Sequence, residues 1–221
     1  MYYPLPLLKS NFKIFPLFGD ALIGEPYQLD LSPCAVTEET YNTLDFQTFQ
    51  AGVFEEIAKG GASWGIGPYL EDRSSLLRNY PDMIAEGRVF HVGLDIVVLP
   101  DLPLFAPIKG FVFETLVEKG LGSYGGIVIL EHFLSGLTFY SLYGHLKTRF
   151  LVQPGQKLEA GEIFGEVGAG EDSGGWFTHV HLQILTEKAM AIGWKLKGYV
   201  SKEDLPRVGE IFPTPYPLFR F

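Results

Sequence analysis

The strongest constraint on the fold lies in how the chain is punctuated after Gly87. Six short runs of strand character follow one another there: "RVFHVGLDIVV", "PLFAPIKGFVFETLV", "GGIVILEHF", "LTFYSLYGHL", "IFGEVG" and "HVHLQIL". Gly or Pro interrupts nearly every gap. Short β-branched and aromatic runs set between turn residues fold as hairpins, so a mainly β domain, an antiparallel sheet or sandwich, is expected over residues 87–190. With 26 Gly and 15 Pro among 221 residues, the chain is turn-rich but well short of a low-complexity composition.

The flanks read differently. Residues 1–86 form an N-terminal extension expected to pack on the core. From Asp45 to Lys59, Phe46, Phe49, Val53, Phe54 and Ile57 recur at helical spacing, with Asp45 as a cap and Gly60-Gly61 as a stop. "EDRSSLLRNYPDMIAEG" holds a short helix or two, interrupted at Pro81. Residues 191–221 form a C-terminal extension. Its Pro213, Pro215 and Pro217 predict an extended path whose Tyr and Phe residues pack back on the domain.

Charge excludes one class of partner. The net charge is −9 and none of the 17 basic residues forms a run, which argues against nucleic acid, because phosphate binding needs clustered Lys and Arg. The first twenty residues are apolar but broken by Pro4, Pro6, Lys9, Asn11, Lys13 and Pro16. That lacks the layout of an export signal, and no stretch approaches the roughly 18 apolar residues that span a membrane. The expectation is a cytoplasmic protein without a membrane partner, with a periplasmic or non-standard secreted location as the alternative. The single cysteine, Cys34, allows no internal disulfide and is expected to be a small buried hydrophobe.

All five histidines, 91, 132, 145, 179 and 181, fall in the β-rich part. In "FTHVHLQI" a strand sends His179 and His181 to one face and Val180 to the other. In "HVGLD", His91 and Asp95 stand four apart, read as one face of a strand, and Gly93 leaves room between them. His91, Asp95 and one histidine of the pair make a common ligand set for catalytic zinc, leaving the fourth position for water. The other histidine is then free for proton transfer. His145 follows Gly144, which permits a sharp turn, and is suited to hydrogen-bond a reacting water or oxyanion. His132 reads as a satisfied core or edge residue.

Together these motifs resemble the lysostaphin-type zinc endopeptidases over roughly residues 87–187. The resemblance rests on "HVGLDI", "YGHL" and "HVH", with "PLFAPIKGFV" and "VQPGQKLEAGEIFGEVG" as connecting hairpins in the same order. It implies a zinc metalloendopeptidase with His91, Asp95 and His181 holding zinc and His145 and His179 assisting hydrolysis of a peptide or small amide by a metal-activated water. A non-catalytic zinc-binding or regulatory module that keeps the fold is the alternative. The chain departs from the family pattern in "SGGWFT" before the last pair and in Leu182-Gln183 after it. The bulk of Trp176 and Phe177 predicts either a different substrate or restricted access. Arg73 and Tyr143 are expected to contact substrate, Arg73 through a carboxylate. If the segment "WGIGPYLEDRS" instead covers the metal, deleting residues 1 to about 70 raises activity.

Overall fold

The computed structural model describes residues 3–9, 12–36, 41, 43 and 45–221. In chain order its strands are β1 (Tyr27–Gln28), β2 (Gly65–Gly67), β3 (Phe90–His91), β4 (Leu94–Val97), β5 (Pro103–Phe105), β6 (Gly110–Glu118), β7 (Gly125–Leu134), β8 (Leu137–Leu146), β9 (Lys157–Leu158), β10 (Ile163–Glu166), β11 (His179–Thr186) and β12 (Tyr199–Val200). The helices are α1 (Phe46–Lys59), α2 (Pro81–Ala85), α3 (Glu187–Ala191) and α4 (Val208–Ile211). The fold is mainly β. Eight strands form one sheet in the order β1-β2-β4-β11-β8-β7-β6-β9, while β5 pairs with β10 and β3 with β12. The pairings are antiparallel except β1 with β2, so the large sheet is mixed.

Alternation along the strands sorts the sheet into two faces. Leu94, Ile96, Val128, Leu130, Tyr143, Val180 and Leu182 point to one face and pack with Leu104 of β5 and Phe164 of β10. On the other, Ile127, Ile129 and Leu142 meet Ala189 of α3 and Ile211 of α4. Register then aligns a transverse row. Gly67 on β2 is opposite Asp95 on β4, Asp95 opposite His181 on β11, and His181 opposite Gly144 on β8.

The upstream segment is woven into this sheet, since β2 pairs with β4 and lies between it and β1. Helix α1 forms where its spacing predicts. The Asp45 carboxylate accepts from the Gln47 and Thr48 amides, and Phe49, Val53 and Ile57 make the buried stripe. Pro81 opens α2 after a 3₁₀ turn at Leu76–Asn79. The tail packs back as expected, Phe219 and Phe221 meeting Trp64 at 6.2 and 4.7 Å. It is less extended than its prolines suggest. Tyr216–Leu218 coils into a 3₁₀ turn, which proline's fixed φ tolerates as readily as an extended path. Cys34 is exposed, contrary to the expected burial. Among the described residues no helix is long and apolar enough to cross a membrane.

His132 is the satisfied core residue its context suggested. It is fully buried, its Nδ1 donates to the Lys109 carbonyl at 3.0 Å, and its Nε2 meets Ser141 Oγ at 2.7 Å. Burial lowers its pKa to about 4. A histidine whose folded pKa lies below the unfolded ~6.5 is held neutral, so its contribution is present above pH 6.5 and is lost as pH falls towards 4. At about 1.36 kcal/mol per pKa unit, roughly 3 kcal/mol is at stake. Urea titrations of wild type and His132→Gln should therefore give a stability difference that shrinks between pH 6.5 and 4. A pH-independent difference would refute this.

Candidate metal centre

Three acceptor atoms converge on the β4–β11 row. His91 Nε2 lies 3.1 Å from His181 Nδ1 and 3.2 Å from Asp95 Oδ1, and His181 Nδ1 lies 3.0 Å from Asp95 Oδ1. The far side of each ring fixes its tautomer. His91 Nδ1 is 3.0 Å from the Pro68 carbonyl oxygen, which can only accept, so the proton sits on Nδ1. His181 Nε2 is 3.0 Å from Gln183 Oε1, and the Gln183 amide is oriented by its own donation to the Lys197 carbonyl at 3.0 Å. Two ring lone pairs and a carboxylate oxygen are thus left facing one another. Burial, with the Arg73 charge nearby, lowers the His91 pKa to about 4, which disfavours an extra proton there. Burial raises the Asp95 pKa, but its contacts with His91 and the Arg73 guanidinium outweigh this and hold it well below the usual carboxylate range.

Such a cluster could hold a cation. The separations of 3.0–3.2 Å approach the roughly 3.3 Å edges of a tetrahedron with zinc–ligand bonds of 2.0–2.1 Å. The tautomers present free lone pairs inward, and their outer N–H groups carry the supporting hydrogen bonds typical of metal-binding histidines. The donor set fits zinc.

The chain does not bring His91 and Asp95 together as one continuous strand. Four residues of strand would part them by ~13 Å. Instead β3 ends at His91 and β4 begins at Leu94, and the break at Val92-Gly93 folds the two side chains onto each other. The space at Gly93 is taken by His181: a Cβ there would lie 2.2 Å from its Cε1 and 2.4 Å from its Nε2.

His179 and His145 stand beside the three acceptors. His179 Nδ1 donates to the Phe177 carbonyl at 2.7 Å, which leaves Nε2 as an acceptor 3.5 Å from Asp95 Oδ1. The His145 ring lies 4.2 Å from that of His179, and its Nδ1 has no partner among the described residues. Burial lowers both pKa values, and for His145 the neighbouring His179 and His181 lower it further. The sharp turn is not at Gly144. His145 itself takes the left-handed conformation, φ 61°, which breaks the strand alternation and turns its ring to the side that Gly144 and His181 share. A non-glycine residue held there costs roughly 1–3 kcal/mol. Gly144 has another use, because a Cβ there would lie 2.5 Å from the Tyr124 ring.

The four histidines and Asp95 are between 1% and 4% exposed. Asp95, His145, His179 and His181 line a cavity of about 220 Å³ with Met83, Trp176, Phe177 and Tyr199 among others. Trp176 stacks on Tyr80 at 5.0 Å, and Phe177 meets Phe49 of α1 edge-on at 5.1 Å. The Thr178 amide donates to Gln50 Oε1 at 2.6 Å. Upstream side chains therefore hold the loop that leads into His179.

Two expected substrate contacts are corrected. Tyr143 is fully buried in the core on the opposite face of the sheet, packed on Phe164, because strand alternation places it with Val180 and Leu182. Arg73 reaches the cavity wall, but it is 2% exposed, two of its three nitrogens bond protein carboxylates, and Nη2, without a partner among the described residues, is itself buried. Its Nη1 donates to Asp95 Oδ2 at 2.6 Å and its Nε to Glu71 Oε2 at 2.9 Å.

The structure adds Tyr124 and Gln183. The Tyr124 hydroxyl donates to Gln183 Oε1 at 3.1 Å and lies 3.4 Å from His181 Nε2. Gln183 was accessible from the same period of two that pairs His179 with His181. Tyr124 opens no motif, and nothing local in the sequence marks it.

Residues 89–192 match the sequence profile of peptidase family M23. Among solved structures, similarity extends to a zinc-containing peptidase from Vibrio cholerae, with 23% identity over 44% of this chain and 28% of that one and a TM-score of 0.37. A putative peptidase M23 from Pseudomonas aeruginosa shares 30% identity over 42% of this chain and 37% of that one, at a TM-score of 0.35. The catalytic domain of the antimicrobial peptidase lysostaphin from Staphylococcus simulans shares 23% over 54% and 80%, at 0.37. The match thus spans only 28% and 37% of the first two of these proteins. No curated protein matches the chain. The match to peptidase family M23 covers residues 89–192, and a side chain from upstream of that span, Arg73, reaches into the cluster of His91, Asp95 and His181.

Proposed function

We propose that the protein is a zinc-dependent peptidase that hydrolyses a peptide or small amide. The observation that carries this reading is the convergence of His91 Nε2, Asp95 Oδ1 and His181 Nδ1, three acceptors with their lone pairs turned inward. These three residues would hold the metal. When bound, zinc supplies Lewis-acid chemistry, acidifying a water and polarising a carbonyl.

The remaining groups are the chain's own. His179 is kept neutral by burial and locked by Phe177 into the tautomer that presents Nε2 as a proton acceptor. The His145 ring lines the cavity beside that of His179 and is placed to hydrogen-bond a water or the oxygen on which negative charge develops. Two positioned imidazoles suit hydrolysis, where general acid–base help contributes about 10²–10⁴ in rate.

Protein purified without chelators should contain about one zinc per chain. Hydrolysis of a peptide panel should stop on chelation and return with zinc. His145→Ala and His179→Ala should each lower kcat by about 10²–10⁴ with the metal retained. Full activity in both variants, or no hydrolysis by zinc-loaded wild type, would favour the non-catalytic zinc module. Protein unable to take up zinc would end the metal reading altogether. Stoichiometric iron in place of zinc would point to the other chemistry that two histidines and a carboxylate serve.

A further inference from the structure

We infer that Arg73 is a positioning residue for the metal centre, holding Asp95 so that Oδ1 alone faces the two imidazoles. The inference rests on the reading that His91, Asp95 and His181 bind a metal. Asp95 divides its two oxygens between two tasks. Oδ1 is the atom 3.0–3.2 Å from the imidazole nitrogens, whereas Oδ2 accepts from Arg73 Nη1 at 2.6 Å. A carboxylate bound through both oxygens adds a coordination bond and fills the position that a catalytic zinc keeps open for water. Occupying Oδ2 prevents that.

Arg73 is itself held on the far side. Its Nε donates to Glu71 Oε2 at 2.9 Å, and Glu71 Oε1 accepts from the Leu31 amide at 2.8 Å. A relay from Leu31 through Glu71 and Arg73 to Asp95 thereby joins the upstream segment to a metal ligand. The neighbouring strand leaves room for it. A Cβ on Gly67 would lie 2.7 Å from Arg73 Nη2 and 3.3 Å from Asp95 Cβ, so β2 passes the guanidinium at a glycine. The charges also fit this role. One guanidinium between two buried carboxylates leaves the cluster a single net negative charge beside the cation site, and a planar fork can hold both carboxylates in fixed directions where an ammonium cannot.

Cobalt(II) loaded in place of zinc tests this, because its visible absorption is intense when four-coordinate and weaker when five-coordinate. Wild type should show the intense band. Arg73→Met should weaken the band as Asp95 turns to offer both oxygens, and zinc affinity should fall 10–100-fold, the usual cost of removing a group that orients a ligand. Arg73→Lys keeps the charge but holds one carboxylate at most, so it should fall between the two, and it decides the matter should Arg73→Met not fold. A lowered melting temperature with band and affinity unchanged would make Arg73 a structural staple and overturn the inference, as would a weak band already in wild type. Wild type that takes up neither cobalt nor zinc overturns the metal reading itself, a failure visible before any variant is compared.

Discussion

Gly93→Ala is expected to weaken zinc binding more than 100-fold while the domain stays folded. The added methyl carbon would sit 2.2, 2.4 and 2.8 Å from three atoms of the His181 ring, far inside contact distance. The ring has nowhere to retreat, since Gln183 and the Tyr124 hydroxyl occupy its far side at 3.0 and 3.4 Å. It must therefore rotate or the β3–β4 break must open, and either change removes one of the three donors. Overpacking of this kind costs about 1–3 kcal/mol, within what a domain stable by about 5–15 kcal/mol tolerates. Val92 and Leu94, fully buried on either side, keep their packing. Zinc affinity from competition titration should fall by more than 10², with a cooperative thermal transition retained. Near-native affinity would mean that the close approach of His181 to Gly93 is not what shapes the centre.

The limits of the sequence reading follow from which relations are local. The β character after Gly87, helix α1 with its Asp45 cap, and the shared face of His179 and His181 depend on periods of 2 and 3.6, which a sequence displays directly. The convergence of "HVGLD" with "HVH" follows from register across β4 and β11, where Asp95 and His181 are opposite each other. No single segment shows that register, and it took the combination of motifs to suggest it. Long-range geometry accounts for the misreadings. His91 and Asp95 meet through a break, His145 turns by its own strained φ, and Tyr143 goes to the core with its strand neighbours. Arg73 was picked out for its charge. Its partner is a carboxylate of the same chain, 22 residues on, and only β2 alongside β4 brings them together.

That same interleaving sets the expected result of truncation. Deleting residues 1–70 should yield a chain that neither unfolds cooperatively nor holds zinc, the opposite of activation by removal of a cover. The deletion takes Leu17, Phe18, Trp64 and Ile66 from the core beneath the sheet. It also takes Phe49, Val53 and Ile57 from the cluster that buries Trp176 and Phe177. At about 1.5–3 kcal/mol for each fully buried side chain, the first four alone contribute roughly 6–12 kcal/mol, comparable to the whole stability of a domain. Three further losses strike the site itself: Gln50 no longer holds the Thr178 amide, β4 loses its edge partner at Asp95, and the Leu31 amide no longer anchors Glu71. Circular dichroism melts and zinc titration of the purified fragment check this. A soluble fragment with a sharp transition and raised hydrolysis would show instead that the upstream segment is a detachable cover over a self-sufficient centre.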